Sequence, residues 1–297
     1  MSRATHERGV AAPDKPDWDV AGLAWPHRAS SRFVRAGGLR WHVQRMGRGP
    51  VCLLVHGTAA STHSWRGLAP LLATRFSVVA PDLPGHGFTD TPAPARLGLE
   101  GMAEALGALI AKLDVAPALV VGHSAGAAIL VQACLDGGLA PQRLVSLNGA
   151  LLPFGGAAGV LFAPLARLFA GLPFVPRVVS ARARRPAAVR RLIASTGSVI
   201  DAEGIALYGS LLAHPGHVAA VVQMMARWNL HPLQRRLPEL AVPVDLVVGE
   251  RDLAVPPADA RTVAARLAHA RIVRLPELGH LAHEEDPRAA AAAIESI

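Results

Sequence analysis

The sequence predicts an α/β protein: a mostly parallel sheet with helices on both faces and a helical lid inserted between two sheet strands. Three observations predict it. Apolar runs of strand length alternate with longer helical patterns toward both ends of the chain, as parallel strands joined by crossover helices require. From about Leu151 to Pro238 the alternation gives way to short helical patterns broken by Pro153, Pro164, Pro173, Pro176, Pro186, Pro215 and Pro232, residues that interrupt a helix interior because they lack the N–H it needs. Upstream of that segment, Gly122-His123-Ser124-Ala125-Gly126 follows the apolar run Ala118-Leu119-Val120-Val121 and leads into the small residues Ala125 to Ala128. This is the G-x-S-x-G pattern of a sharp strand-to-helix turn.

Along the chain, residues 1–30 read as a polar N-terminal extension with Pro13, Pro16 and Pro26 and no apolar run of the kind a secretory signal carries. The first part of the core is expected over 31–150, where Ser31 to Ala36 and Leu39 to Arg45 read as an antiparallel hairpin turned at Gly37-Gly38. A strand at 51–55, a helix from about Ser64 to Leu72, a strand at 76–80 and a helix from about Glu100 to Leu113 follow. The strand ahead of Ser124, the helix behind it and Leu144-Val145-Ser146-Leu147 complete this part. The lid covers 151–238, and the second part of the core, 239–297, holds strands at 244–248 and 271–275. No charged residue stands between Arg143 and Arg167, a length that can span a bilayer when helical. Gly149, Pro153, Gly155, Gly156, Gly159 and Pro164 interrupt it, so an apolar lid able to rest on a membrane surface is expected rather than a transmembrane helix.

In a strand–serine–helix turn the serine backbone is strained and its oxygen exposed, and the flanking glycines keep neighbouring side chains clear. The N–H of Ala125 then lies at a helix N-terminus, where it can stabilise an oxyanion. The strand Val51-Cys52-Leu53-Leu54-Val55 ends in His56-Gly57-Thr58, which supplies a second oxyanion donor in the N–H of Thr58. Asp252, in Gly249-Glu250-Arg251-Asp252, and His280, in Pro276-Glu277-Leu278-Gly279-His280, each follow a predicted strand. The chain order Ser124, Asp252, His280 is that of the α/β-hydrolases, and sites in such sheets gather at the carboxyl ends of the strands. His280 is expected to take the Ser124 proton and later protonate the leaving group, with Asp252 fixing the His280 tautomer. Taken singly, Asp252 reads as a loop carboxylate capping the next helix and His280 as a solvated loop histidine. In order and behind strands, the three read as a triad. His56 and His86 read as structural, since the oxyanion donors needed are backbone groups. Trp65, Met224 and Trp228, with Met225, are candidates for the substrate pocket against a default of core packing.

Composition narrows the field. A chain of 297 residues, 51% hydrophobic and 18% charged, buries a large core. Its net charge of +8 is almost all arginine, Lys15 and Lys112 being the only lysines. No nucleic-acid module or dense basic stripe with interleaved aromatics is present, so no nucleic-acid partner is expected. An acidic substrate or an anionic membrane surface stays open. Arg182, Arg184, Arg185, Arg190 and Arg191, with Arg235-Arg236, mark a solvated face or a place that binds carboxylates. Cys52 and Cys134 make no disulfide framework, which fits a reducing cytoplasm. The pairs His280-x-x-His283 and His214-x-x-His217 do not match H-E-x-x-H and lack a third ligand, so neither a metal nor a cofactor is expected.

The residues also resemble a known family. Trp25-Pro26-His27-Arg28, Ser31-Arg32-Phe33-Val34 and Gly38-Leu39-Arg40-Trp41-His42-Val43-Gln44 are similar to the α/β-hydrolase-type magnesium-chelatase accessory proteins of bacteriochlorophyll biosynthesis. The similarity runs on through His56-Gly57-Thr58-Ala59-Ala60-Ser61-Thr62-His63-Ser64-Trp65, Asp82-Leu83-Pro84-Gly85-His86-Gly87 and the Ser124 segment. It includes Ser146-Leu147-Asn148-Gly149-Ala150, Pro215-Gly216-His217-Val218 and Leu278-Gly279-His280-Leu281-Ala282-His283. The resemblance implies a cytoplasmic role associated with inserting Mg²⁺ into protoporphyrin, with magnesium-chelatase subunits as partners and a small acyl or tetrapyrrole-related substrate. It supplies no defined reaction. A serine hydrolase, a non-catalytic pigment- or chelatase-binding accessory protein, and a general carboxylesterase all fit. Dehalogenases and epoxide hydrolases place Asp at the nucleophile, so Ser124 argues against both.

Overall fold

The computed structural model describes residues 14–153 and 168–295. One sheet holds eight strands: β1 (Ser31–Ala36), β2 (Leu39–Met46), β3 (Val51–Val55), β4 (Ser77–Pro81), β5 (Pro117–His123), β6 (Arg143–Leu147), β7 (Val244–Gly249) and β8 (Ala270–Leu275). Their order is β1-β2-β4-β3-β5-β6-β7-β8. β2 is antiparallel to both neighbours, and every pairing from β4 across to β8 is parallel. The chain steps from β3 out to β4, then returns across β3 to β5. That reversal opens a crevice at the carboxyl ends of β3 and β5, where open α/β sheets bind their ligands. Val55 pairs with Gly122, so the segments carrying Thr58 and Ser124 emerge side by side.

The helices before the lid are α1 (Leu68–Leu72), α2 (Leu99–Leu113) and α3 (Ala125–Leu135). The helix expected from Ser64 to Leu72 is in two pieces, a 3-10 turn Thr62–Trp65 and then α1. They part near Gly67, where a Cβ would lie 2.5 Å from the Pro287 ring. Between β6 and β7 come α4 (Val175–Ala183), α5 (Pro186–Ala194), α6 (Ala202–Leu212), α7 (Pro215–Arg227) and α8 (His231–Arg236). Pro176, Pro186, Pro215 and Pro232 sit in the first turns of α4, α5, α7 and α8, where a missing N–H breaks no helical bond. Four of the prolines that disrupt the sequence pattern are therefore helix starts. After β7 the chain forms α9 (Asp259–Ala264), α10 (Ala282–Glu285) and α11 (Pro287–Glu295).

Strand side chains alternate between the two faces, and the core divides accordingly. Leu53 and Val55 join Val79, Val120 and Leu144 against Met102, Leu106 and Leu109 of α2 and against α3. Cys52 and Leu54 join Val78, Val121 and Val145 against Leu68 and Leu72 of α1 and Ala290 and Ile294 of α11. α3 is apolar around its circumference and buried from Ala125 to Ala133, as a helix covered on all sides must be. The lid has its own small core of Val189, Ile193, Ile205, Tyr208, Leu212 and Val218, joined by Ala60 and Leu281 from the loops beneath.

Much of the supposed N-terminal extension is part of this body. Trp18 meets Phe33 and Phe88 edge-on, and Trp25 meets Phe88. The Trp25 Nε1–H donates to Thr62 Oγ1 at 3.0 Å, and Gln44 Nε2 donates to the Pro26 carbonyl at 2.6 Å. Residues 1–13 of that extension, and residues 154–166 of the uncharged stretch with Arg167 after it, lie outside the described residues. Among the described residues, no single helix is long and apolar enough to cross a membrane.

Candidate active site

Ser124 sits at φ 51°, ψ −119°, a backbone conformation that costs a non-glycine residue about 1–3 kcal/mol. The neighbours hold it there. Its N–H donates to the Leu147 carbonyl at 3.1 Å, and its carbonyl accepts from the N–H groups of Ala127 and Ala150, both at 3.1 Å. The motif glycines are needed for space: a Cβ at Gly126 would stand 2.1 Å from the Val55 carbonyl oxygen, and one at Gly122 2.5 Å from the Ala127 backbone. The closeness of α3 to the end of β3 therefore dictates Gly126, and its closeness to β5 dictates Gly122.

Asp252, after β7, and His280, after β8, meet across 28 residues: His280 Nδ1–H donates to Asp252 Oδ2 at 2.8 Å. The Asp252 side chain is 1% exposed and that of His280 10%. Each carboxylate oxygen takes two hydrogen bonds. Oδ2 also accepts from Asn148 Nδ2 at 2.7 Å, while Oδ1 accepts from the backbone N–H groups of Ala254 and Val255, each at 2.8 Å. The two sequence readings of Asp252 thus coexist in part, since one oxygen shapes its loop as the other orients His280. With Nδ1 committed to Asp252, Nε2 is the ring nitrogen left for chemistry.

Thr58, Ser124, Ala125 and His280 line one cavity of about 340 Å³ with Ala150, Leu192, Thr196, Met224, Met225, Trp228, Ala254 and Val255. Among the described residues, no hydrogen bond occupies the backbone N–H of Thr58 or Ala125. Two donors beside a half-buried serine oxygen are the components of an oxyanion hole. Met224 and Trp228 line this cavity. Trp65 does not. It is fully buried beneath the sheet with Leu68 and Leu72, its ring 4.7 Å from that of His283. The chain turns Trp65 toward the α1 layer, on the far side of the loop from the cavity.

The histidines around the site are structural. His56 Nδ1–H donates to the Gly57 carbonyl at 2.8 Å, and its Nε2 accepts the Leu83 N–H at 2.9 Å, which ties the Thr58 loop to the loop after β4. His86 Nδ1–H donates to the Pro84 carbonyl at 3.1 Å. His123 Nε2–H donates to the His280 carbonyl at 2.9 Å, joining the strand ahead of Ser124 to the histidine loop. Burial, with His283 and His280 close by, holds His123 well below the usual histidine range and so neutral. Among the described residues, no three His, Cys, Asp or Glu side chains gather to hold a metal ion; His283 Nε2–H donates to Ser64 Oγ at 2.8 Å.

Two residues escaped the sequence reading. Asn148, held at φ 47°, supplies the second hydrogen bond to Asp252 Oδ2. Its sequence signals are its place immediately after a predicted strand and within the resembling segment Ser146 to Ala150. Thr196, in the lid, accepts at its carbonyl from Leu253 N–H at 3.1 Å and from His280 N–H at 3.4 Å. Nearby, Ser198 Oγ accepts the Leu281 N–H at 2.8 Å. The turn after α5 thus clamps both the acid loop and the histidine loop.

Comparison with known proteins agrees with this fold. Residues 50–287 match the alpha/beta hydrolase fold family. Over 262 residues the chain is 44% identical to the magnesium-chelatase 30 kDa subunit of Rhodobacter capsulatus, covering 88% of this chain and 91% of that one. An alpha/beta hydrolase fold protein from Burkholderia ambifaria superposes with a TM-score of 0.76 at 28% identity, over 90% of this chain and 97% of the other. An epoxide hydrolase, CorEH, gives the same TM-score of 0.76 at 23% identity, over 90% of this chain and 98% of the other; at that identity the likeness speaks for the fold alone. A backbone shared with such chemistry leaves the reaction to the site residues. From its matched length, its sheet and its strand-to-helix serine turn, the chain belongs to the α/β-hydrolase fold family and is a homologue of the magnesium-chelatase 30 kDa subunit.

Proposed function

We propose that the protein is a cytoplasmic serine hydrolase that cleaves an ester or similarly activated carbonyl in bacteriochlorophyll synthesis, in association with magnesium insertion into protoporphyrin. The observation that carries the reading is the Asp252–His280 pair opening onto the cavity that Ser124, Thr58 and Ala125 share. In this mechanism His280 Nε2 removes the Ser124 proton as Oγ attacks the carbonyl carbon. The oxygen's developing charge is met by the N–H groups of Thr58 and Ala125, and loss of one such donor costs ~10²–10³-fold in rate. The resulting imidazolium protonates the leaving group. Water, deprotonated by His280, then attacks the acyl-enzyme, releases the acid and restores Ser124. Met224, Met225, Trp228 and Leu192 make the cavity wall largely apolar, which suits a substrate with an apolar body such as a tetrapyrrole-related ester.

The pathway assignment rests on the relative at 44% identity. That relative's description as a subunit supports a second reading, a non-catalytic accessory protein that binds pigment or chelatase subunits on the same fold. Labelling with a fluorophosphonate, with Ser124→Ala as control, together with complementation of a deletion strain, separates the two. The hydrolase reading expects labelling of the natural protein, none of the variant, and no pigment synthesis with the variant. Full complementation by Ser124→Ala would overturn it in favour of the accessory role.

A further inference from the structure

The lid carries a surface that hydrolysis does not use. Residues 137–200 contain eight arginines and no Asp or Glu. Six of them, Arg177, Arg182, Arg184, Arg185, Arg190 and Arg191, lie on or between α4 and α5 and are exposed. The ion pairs among the described residues all use other groups. This charge is therefore neither neutralised nor held in place by neighbouring carboxylates.

The apolar residues between these arginines face outward. α4 buries Ser180 and Ala183, with the Ser180 hydroxyl left without a partner among the described residues. It turns Val178 outward at 51% exposed, with Phe174 just ahead of it at 56%. Leu168 and Phe169 are similarly open, at 57% and 45%. An ordinary surface helix does the reverse, burying its large apolar residues and exposing its small and polar ones. On α5, Val189 and Ile193 are buried, whereas Leu192 is 52% exposed and also lines the cavity that holds Ser124. The cationic apolar face thus runs up to the mouth of the site.

We infer that the α4–α5 face docks on an anionic lipid bilayer. Phe174, Val178 and their neighbours enter the boundary between headgroups and acyl chains, and the guanidinium groups lie at the phosphates. Charge alone fits an acidic polypeptide as well. Exposed Phe and Val interleaved with arginine, whose stem is apolar and whose head is weakly hydrated, match a surface that is apolar below and anionic above. Docking in this pose places the cavity mouth at Leu192 toward the lipid, so an apolar substrate dissolved in the bilayer enters without crossing water. That consequence rests on the hydrolase reading; the docking does not.

The test is co-sedimentation of the full chain with vesicles of phosphatidylcholine alone or with added phosphatidylglycerol. Binding is expected only to the anionic vesicles and is expected to weaken with salt. Each arginine near such a surface contributes about fivefold in partitioning, so R184S/R190S/R191S together are expected to weaken binding ~100-fold, and the corresponding lysine variant to restore most of it. Phe174→Ser with Val178→Ser is expected to weaken binding at unchanged charge. Equal circular dichroism of all variants shows that they fold. Absence of binding to anionic vesicles, binding unaffected by either set, or capture by polyglutamate instead of vesicles would overturn the inference. Fluorophosphonate labelling in the same samples keeps the two claims apart: vesicle binding without labelling removes the hydrolase reading and leaves docking intact, and labelling without vesicle binding does the opposite.

Discussion

Asp252 has no unused acceptor position facing protein: two backbone N–H groups, Asn148 and His280 share its two oxygens. Its role in orienting His280 therefore depends on the negative charge and on the amide of Asn148. Asp252→Asn retains the shape but offers His280 a group that can present the wrong tautomer, and turnover is expected to fall ~10⁴-fold. Asn148→Ala removes a hydrogen bond to a charged group, a contribution of about 1.5–3 kcal/mol, and kcat is expected to fall ~10–100-fold with KM little changed. Steady-state kinetics on an activated ester measures both. An Asn148→Ala variant with natural kcat would show that the amide is incidental to His280. G-x-S-x-G made Ser124 legible because that turn admits few residue types. Asn148 was not legible, because any residue can follow a strand and only its meeting with Asp252, 104 positions away, gives it meaning.

At the scale of elements, α6 and α10 are joined by a buried polar knot. Glu284 is fully buried and accepts hydrogen bonds from Ser64 Oγ at 2.6 Å, from Tyr208 OH at 2.8 Å and from Arg66. Arg66 also reaches Asp201, at the start of α6, at 2.7 Å. Burial pushes the Glu284 carboxyl up, although Arg66, Ser64 and Tyr208 each pull it down. Removing one member strands the rest. Arg66→Met leaves a buried carboxylate without its cation and is expected to cost about 3–5 kcal/mol. Tyr208→Phe loses one donor and is expected to cost about 1–3 kcal/mol. Chemical denaturation of both variants checks the order; an Arg66→Met variant as stable as the natural chain would mean that the knot does not anchor the lid. The sequence showed the lid as a region of proline-broken helices, and four of those breaks, at Pro176, Pro186, Pro215 and Pro232, proved to be helix starts. It did not show this knot, whose members lie on three separate segments.

Over the whole molecule, the buried histidines set the response to acid. Burial pushes His63 and His86 down to about 3, and it holds His123, His217 and His283 well below the usual range. In the unfolded chain each takes a proton near pH 6.5. Between about pH 6.5 and 3 the unfolded state therefore binds more protons than the native one. The stabilisation from their neutrality is fully present above pH 6.5 and drains as pH falls below it, at about 1.4 kcal/mol per pH unit for each histidine. Asp82 adds to the loss at lower pH. Burial alone would raise its carboxyl, but His42 and the Phe88 N–H hold it below the usual carboxylate range, so its contribution is lost as pH falls through that depressed value. Calorimetry is expected to show a steep fall in Tm from pH 7 to pH 5. A flat profile there would mean that these rings are solvated in the native state.

The sequence by itself determined the sheet and the strand-to-helix turn at Ser124. Period-2 and period-3.6 patterns report backbone conformation directly, and the order Ser124, Asp252, His280 behind strands leaves few other folds. The tertiary structure decided which face each element shows. It turned Trp65 into the core, drew the segment from Trp18 to Ser30 onto β2 and the lid, set Thr196 over the loops of Asp252 and His280, and turned Val178 and Val179 of α4 outward. None of these can be read locally. Each depends on which surfaces meet after the chain has crossed back over β3, and residue spacing along one element carries no record of that meeting.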